Sequence, residues 1–192
     1  MNKKDFVTEY NIRDAVPLDP SSRVLPAEGF ALAIEEFINE KFRGAARAHS
    51  RVSSYGGVLV SAEYAAFFFK TLLAEIYGRC FLEINLTSDN DKLTILIEAD
   101  GALPLTDSQM RNLIKIARNA GMKIEVEEQA IRLSLLFSDA AIRRVYAISV
   151  NDGRGIMAGK LQEIFYCGEL YQCEDKPSSS THAQPKKKSA KK

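Results

Sequence analysis

A helix and the strand that follows it are encoded in one continuous stretch, Leu113-Ile114-Lys115-Ile116-Ala117-Arg118-Asn119-Ala120-Gly121-Met122-Lys123-Ile124-Glu125-Val126. Apolar residues recur at helical spacing up to Gly121, which predicts a buried stripe of Met110, Leu113, Ile114, Ala117 and Ala120. Thr106 and Gln109 have the spacing of a capping box, so the helix is expected to begin there. Beyond Gly121, Ile124 and Val126 alternate with polar residues, which is typical of a strand with one buried face.

Two β-hairpins are predicted by apolar residues that alternate on both sides of a short polar turn. The first hairpin turns at Ser88–Asp91 and the second at Glu128-Gln129. Alternation sends Glu125, Glu127 and Glu128 to the outer side and tip of the second hairpin, so they are not expected to form a general acid–base pair. The inward positions are Leu82, Ile84, Leu86, Leu93, Ile95 and Ile97 in the first hairpin, and Ile124, Val126, Ile131, Leu133, Leu135 and Phe137 in the second.

Two further helices are predicted upstream. Apolar residues at helical spacing between Pro26 and Gly44 indicate the first, and Ser61 is a plausible N-cap of the second, which runs to Gly78. The segments Ser50–Ser54 and Gly57–Ser61 look extended, and the residues that join them are interpreted as a hairpin turn rather than an anion-binding loop.

The order of these elements is helix, extended pair, helix, hairpin, helix, hairpin. It predicts an α+β fold, a two-layer sandwich in which a mixed sheet carries helices on one face. We expect this domain to span residues 26–138, after an irregular lead-in over 1–25 with a helical turn near Phe6–Tyr10. A C-terminal extension is expected over 139–173. It comprises a short helix at Ser138–Val145, an extended piece at Tyr146–Val150, a turn at Asn151–Gly155 and a helix over Ile156–Cys167.

Composition limits the class of protein. The 192 residues are 46% hydrophobic and 27% charged, which excludes fibrous and wholly disordered chains. No apolar run is long enough to span a bilayer and the first residues lack the apolar core of a signal peptide, so a cytoplasmic protein is expected. The cysteines are the scattered Cys80, Cys167 and Cys173, and the histidines are His49 and His182. Neither a metal site nor a disulfide framework is expected from them.

Charge is divided between the tail and the rest of the chain. Lys176–Lys192 carries +6 and the whole chain +1, which leaves −5 for the remainder. Residues 174–192 offer no apolar surface, so they are predicted to be a disordered basic tail. Two interpretations stay open, a nucleic-acid-binding arm and a solubilising tail. The lysines concerned are Lys186, Lys187, Lys188, Lys191 and Lys192.

The stretch quoted first, together with Ile131–Phe137, resembles the last helix and closing hairpin of the ATPase domain of sensor histidine kinases, the GHKL or Bergerat fold. Tyr64–Ile76 sits where that family carries its N-box helix. Ile95–Pro104 sits where the family has the strand and loop that recognise adenine. The resemblance spans Pro26 to Ser138 and implies the fold of a signal-transduction ATPase.

The chain departs from the family at its nucleotide motifs. The N-box asparagine that holds Mg²⁺ is replaced by Glu75, and the adenine-binding aspartate falls at Ala99 or at Asp100, depending on the alignment of Gly101. Leu103 replaces the second glycine, and no glycine-rich lid follows. If the chain binds ATP with magnesium, the resemblance implies contacts from Glu75, Asp100 and Gly101, with basic help from Arg79 or Lys115.

We therefore expect a non-catalytic signalling or regulatory module, a pseudo-kinase without a cofactor, that binds an unidentified protein partner. The alternatives are an unconventional nucleotide-binding protein and a nucleic-acid-associated protein that acts through its tail. No helical hairpin with a phosphoacceptor histidine is expected before the first helix. His49 is interpreted as a surface or strand-edge residue, and Asp152–Gly155 as a turn rather than a nucleotide loop.

Overall fold

A computed structural model describes residues 22–53, 56–137 and 149–174, with side chains described as far as Tyr166. The helical turn expected near Phe6–Tyr10, the helix expected at Ser138–Val145 and most of the extended piece expected at Tyr146–Val150 lie outside these residues. The basic tail with Lys186, Lys187, Lys188, Lys191 and Lys192 lies outside them too.

Strands and helices alternate along the described chain. Their bounds are β1 Arg23–Pro26, α1 Ala27–Lys41, β2 Ala46–Arg51, β3 Gly57–Val60, α2 Ala62–Ile76, β4 Leu82–Ser88, β5 Lys92–Ala99, α3 Asp107–Asn119, β6 Lys123–Val126, β7 Ala130–Leu136 and α4 Val150–Glu174.

Five of the strands form one mixed sheet in the order β2-β4-β5-β7-β6. Strand β2 runs parallel to β4, and all other neighbours are antiparallel. Both predicted hairpins are confirmed: Ile84 lies opposite Ile97 in β4–β5, and Ile124 lies opposite Leu133 in β6–β7.

Only one face of the sheet is buried. The inward residues of the central strands, among them Ile84, Ile95 and Leu133, are fully buried, while their neighbours Glu83 and Arg132 are exposed. Helices α1 and α3 contact the two edge strands from the buried side. The predicted α+β class, with a mixed sheet and helices on one face, is confirmed.

The hairpin predicted for the extended segments at Ser50–Ser54 and Gly57–Ser61 is wrong, and of the first segment Ser50 and Arg51 lie in β2. Strand β2 pairs with β4, whereas β3 pairs antiparallel with β1 in a separate two-stranded sheet. The pairing buries Val58 and Val60 of β3 together with Leu25 of β1. It also gives regular structure to the end of the segment that was predicted to be irregular. Burial of three apolar side chains, which no local pattern reports, decides this pairing.

Helix α3 begins as predicted, because Thr106 and Gln109 form both bonds of the capping box. Its buried stripe is rotated relative to the prediction. Leu113, Ile116, Ala117 and Ala120 are buried, while Ile114 and Met110 are half-buried. The rotation follows from packing, since α3 contacts α2 as well as β6.

Helix α4 includes Asn151–Gly155, where a turn was predicted. Ser149 caps it: its hydroxyl accepts the Asp152 N–H at 3.1 Å and donates to the Asp152 carboxylate at 2.8 Å. The first glycine of the predicted turn, Gly153, lies where α4 crosses the start of α1. A Cβ there would lie 2.6 Å from Cδ of Pro26. The glycine therefore permits a close helix crossing and does not end the helix.

The predicted C-terminal helix over Ile156–Cys167 is confirmed as part of α4. Met157 and Leu161 belong to the same buried cluster as the sheet and the other helices. The Phe165 ring lies 4.8 Å from that of Phe37 and 5.3 Å from that of Phe42. These ring contacts pack α4 against the C-terminal end of α1. Within the described residues, no helix combines the length and apolar character that crossing a membrane needs.

Candidate functional site

A groove of about 600 Å³ lies beside the free edge of β2. Helix α1 forms one wall and β2 forms the other, so the groove follows from the packing of the first helix on the edge strand. The pattern Ala46-Arg47-Ala48-His49-Ser50-Arg51, in which small residues alternate with basic ones, is the sequence signal that could have indicated it. Its lining residues are Glu35, Asn39, Arg43, Ala46, Arg47, His49 and Phe81.

Asn39 of α1 occupies the strand edge beside the groove. Its amide Nδ2 donates to the Ala48 carbonyl at 2.8 Å, and its Oδ1 accepts the Ala48 N–H at 2.9 Å. The carboxamide therefore takes the hydrogen bonds that a neighbouring strand would otherwise make at this residue. The backbone N–H of Ala46 is also paired, because it donates to the Phe42 carbonyl at 2.8 Å.

Basic side chains follow one another along the groove and the strand. Arg43 is fixed by a hydrogen bond of 2.9 Å from its Nε to the Asn39 carbonyl. Arg47, His49 and Arg51 alternate along β2 and are all exposed. None of these three forms a hydrogen bond or ion pair with another described residue. His49 thus lies on an exposed strand edge, where the sequence placed it.

The residues named for nucleotide binding lie elsewhere, at the end of α2 and after β5. Glu75, in the last turn of α2, accepts a hydrogen bond from the side-chain amide of Gln109. The other end of that side chain, Oε1, accepts the Thr106 N–H at 2.8 Å as part of the α3 cap. Gln109 therefore ties α2 to the start of α3, a role that the capping pattern alone did not indicate.

Asp100 is bound to the neighbouring strand. Its carboxylate accepts the Phe81 N–H at 3.1 Å, and its own N–H donates to the Phe81 carbonyl at 3.1 Å. These contacts extend the β4–β5 ladder by one pair. Burial, and secondarily the negative charge of Asp100, raise the pKa of the adjacent Cys80 thiol.

The loop from Gly101 to Thr106 folds back onto the protein. The Leu103 N–H donates to the Glu128 carbonyl at 3.1 Å, and the Leu103 side chain packs against the core. The Arg79 guanidinium donates to the Pro104 carbonyl at 3.2 Å. Gly101 has open space where a Cβ would stand, and the second basic candidate, Lys115, is exposed on α3.

Two solved structures similar to this chain are histidine kinases. The cytoplasmic segment of histidine kinase QseC is 10% identical with a TM-score of 0.40, over 62% of this chain and 79% of that one. Acinetobacter baumannii histidine kinase AdeS is 10% identical with a TM-score of 0.45, over 66% and 70%. The likeness concerns the fold alone. No protein-family model and no curated protein matches the chain.

The positions of Glu75, Asp100 and Gly101 do not fit a magnesium nucleotide in this arrangement. Mg²⁺ needs oxygen ligands in near-octahedral geometry. One carboxylate oxygen of Glu75 and one of Asp100 are held by protein donors, and the loop between them and α3 presents leucines to the core. Within the described part of the chain, no group of three or more His, Cys, Asp or Glu side chains is arranged to hold a metal ion.

Proposed function

We propose that this chain is a non-catalytic regulatory module that acts by binding a protein partner, and that internal contacts have replaced nucleotide chemistry at its former motif positions. The observation that carries the proposal is the hydrogen bond from the Gln109 side chain to Glu75. It joins the helix that resembles the N-box helix to the start of the next helix, where a nucleotide-binding protein needs space for phosphates and metal.

Charge supports the same conclusion. A carboxylate in place of the family's asparagine adds negative charge beside the phosphates, which Mg²⁺ has to offset. Glu75 is half-buried and hydrogen-bonded, so turning it toward a ligand would break the contact with Gln109 and leave both groups to find new partners. A bound nucleotide would therefore have to compensate for these lost contacts.

The loop after β5 also supports the proposal that internal contacts have replaced nucleotide chemistry. A lid that encloses a triphosphate needs a mobile stretch whose backbone N–H groups reach the phosphates. Here the N–H of Leu103 is bonded to the second hairpin, and Leu103 and Leu105 pack against the core. The Arg79 guanidinium likewise donates a hydrogen bond to the loop carbonyl of Pro104.

Thermal unfolding of the full chain with Mg·ATP, compared with Mg²⁺ alone, tests the nucleotide half of the proposal. We expect the same unfolding midpoint in both. A ligand present at 100 times its Kd would add about 2.7 kcal/mol to the unfolding free energy, a shift of several degrees. A saturable shift of that kind would overturn the proposal in favour of an unconventional nucleotide-binding protein.

A further inference from the structure

The basic side chains along the β2 edge indicate the chemistry of the partner that could bind there. We define the β2 cationic strip as Arg47 and Arg51, with His49 between them, together with Arg43, which lines the groove just after the end of α1. Three of these side chains have no hydrogen bond or ion pair within the described chain, although Glu83 lies directly across from Arg47 on β4. Within the described part of the chain, the charges of Arg47 and Arg51 are therefore unpaired.

The backbone of β2 is not equally available. A peptide that binds by adding a strand needs the outward N–H and C=O groups of the edge. At Ala48 both groups are taken by Asn39, and at Ala46 the N–H is taken by Phe42. At Ala46 and Ala48, a partner therefore has to be recognised mainly by side chains.

The dimensions suit an extended segment. Arg47 and Arg51 are four residues apart on one strand and face the same side, so their Cα atoms are about 13 Å apart. An extended peptide of about six residues spans that distance. The groove volume of about 600 Å³ lies within the ordinary range of ligand sites.

We propose that the groove and the β2 cationic strip bind an acidic, extended segment of a protein partner, with its carboxylates paired to Arg43, Arg47 and Arg51. The proposal rests on the proposed function and names the chemistry of the partner. Arginine suits this role because its planar guanidinium can pair with a carboxylate through two parallel hydrogen bonds.

Nucleic acid fits this surface less well. Single strands bind without sequence preference by stacking their bases on aromatic side chains. The five strands of the large sheet contain no Phe, Tyr or Trp, and Phe81, which lines the groove, is half-buried, so a row of bases has no stacking platform here.

The test measures binding of a fluorescein-labelled poly-glutamate peptide of about six residues to the full chain at low salt. The variant is Arg47→Gln with Arg51→Gln. The matched control is Arg111→Gln with Lys115→Gln, two exposed cations on α3. Both double variants lose the same net charge, so any attraction of the peptide to the lysine-rich tail affects them equally.

We expect the β2 double variant to bind about tenfold more weakly and the α3 double variant to bind within about twofold of the wild type. Equal losses would mean unspecific attraction by net charge and would overturn the proposal. Absence of peptide binding by the wild type would overturn it as well. So would a labelled single-stranded DNA that binds more tightly than the peptide and loses affinity only in the β2 variant.

The Mg·ATP titration separates the two proposals. If the peptide result fails while Mg·ATP gives no shift, the partner chemistry is wrong and the nucleotide-free module stands. If Mg·ATP stabilises the chain, the proposed function fails whatever the peptide does. Circular dichroism is expected to give the same unfolding midpoint for both double variants, because all four side chains are exposed.

Discussion

The side chain of Asn39 forms a two-point hydrogen bond with the backbone of Ala48, at 2.8 Å and 2.9 Å, so a helix residue closes part of the free edge of the sheet. An open edge presents unpaired backbone groups and invites pairing with another chain. Proteins protect such edges with charges, bulges or covering elements, and here one amide does so. The same contact removes the backbone of Ala48 from recognition by a partner strand.

Replacing Asn39 with Ala should therefore destabilise the fold. The substitution removes two hydrogen bonds at a half-buried site and leaves the Ala48 N–H and C=O unpaired, which we expect to cost about 1–3 kcal/mol. Urea denaturation measures the change, and Asn112→Ala on the exposed side of α3 is the control, with an expected change within about 0.5 kcal/mol. Light scattering should show more self-association for Asn39→Ala. Equal stability of the two variants would contradict a role for Asn39 at the edge.

The rotated stripe of α3 can be tested with one pair of identical substitutions. Ile116 is 6% exposed and Ile114 is half-buried, so Ile116→Ala should leave the larger cavity. We expect a loss of about 2–5 kcal/mol for Ile116→Ala and a clearly smaller loss for Ile114→Ala. Denaturant titration measures the loss of unfolding free energy in both variants, with Lys115→Ala as the exposed control. The reverse order would restore the stripe that periodicity alone predicted.

Two glycines of α4 should respond in opposite directions to alanine. A Cβ at Gly153 would lie 2.6 Å from Cδ of Pro26, whereas a Cβ at Gly155 would meet nothing within 4 Å. Gly155→Ala should therefore stabilise the protein by up to about 1 kcal/mol, because alanine favours a helix. Gly153→Ala gains the same propensity but has to separate α4 from α1, so we expect a net loss. Thermal unfolding of the two variants measures the difference, and stabilisation by both would argue against the close crossing.

The thiol of Cys80 should react slowly at neutral pH. Burial raises its pKa, and the charge of Asp100 raises it further, so the reactive thiolate forms only at higher pH than in an ordinary cysteine. In a Cys167→Ser, Cys173→Ser background, the rate of alkylation by iodoacetamide should rise through a midpoint at higher pH than for an ordinary cysteine. Asp100→Asn removes the charge and can still accept the Phe81 N–H, so it should move the midpoint to lower pH. An unchanged midpoint would mean that burial alone sets the pKa.

Local signals in the sequence determined most of the regular structure. The capping box at Thr106 and Gln109 fixed the start of α3, because both of its hydrogen bonds form within a single turn. Alternation fixed β4, β5, β6 and β7, since each strand has one buried face and the partners in each hairpin are close along the chain. Ser149 and Asp152 carried the same kind of signal for α4, but the glycines that follow them favoured a turn.

Contacts between residues distant in sequence were decided only by the tertiary structure. Only Ser50 and Arg51 of β2 belong to the extended segment predicted at Ser50–Ser54, and the parallel pairing of β2 with β4 depends on where α2 brings the chain back. A glycine is needed inside α4 at position 153 because Pro26 approaches too closely for a side chain there. The contacts at the candidate sites were also decided only by the tertiary structure. The hydrogen bonds from Gln109 to Glu75 and from Asn39 to Ala48 join different elements, and side chains at an element surface have no periodicity that names their partner.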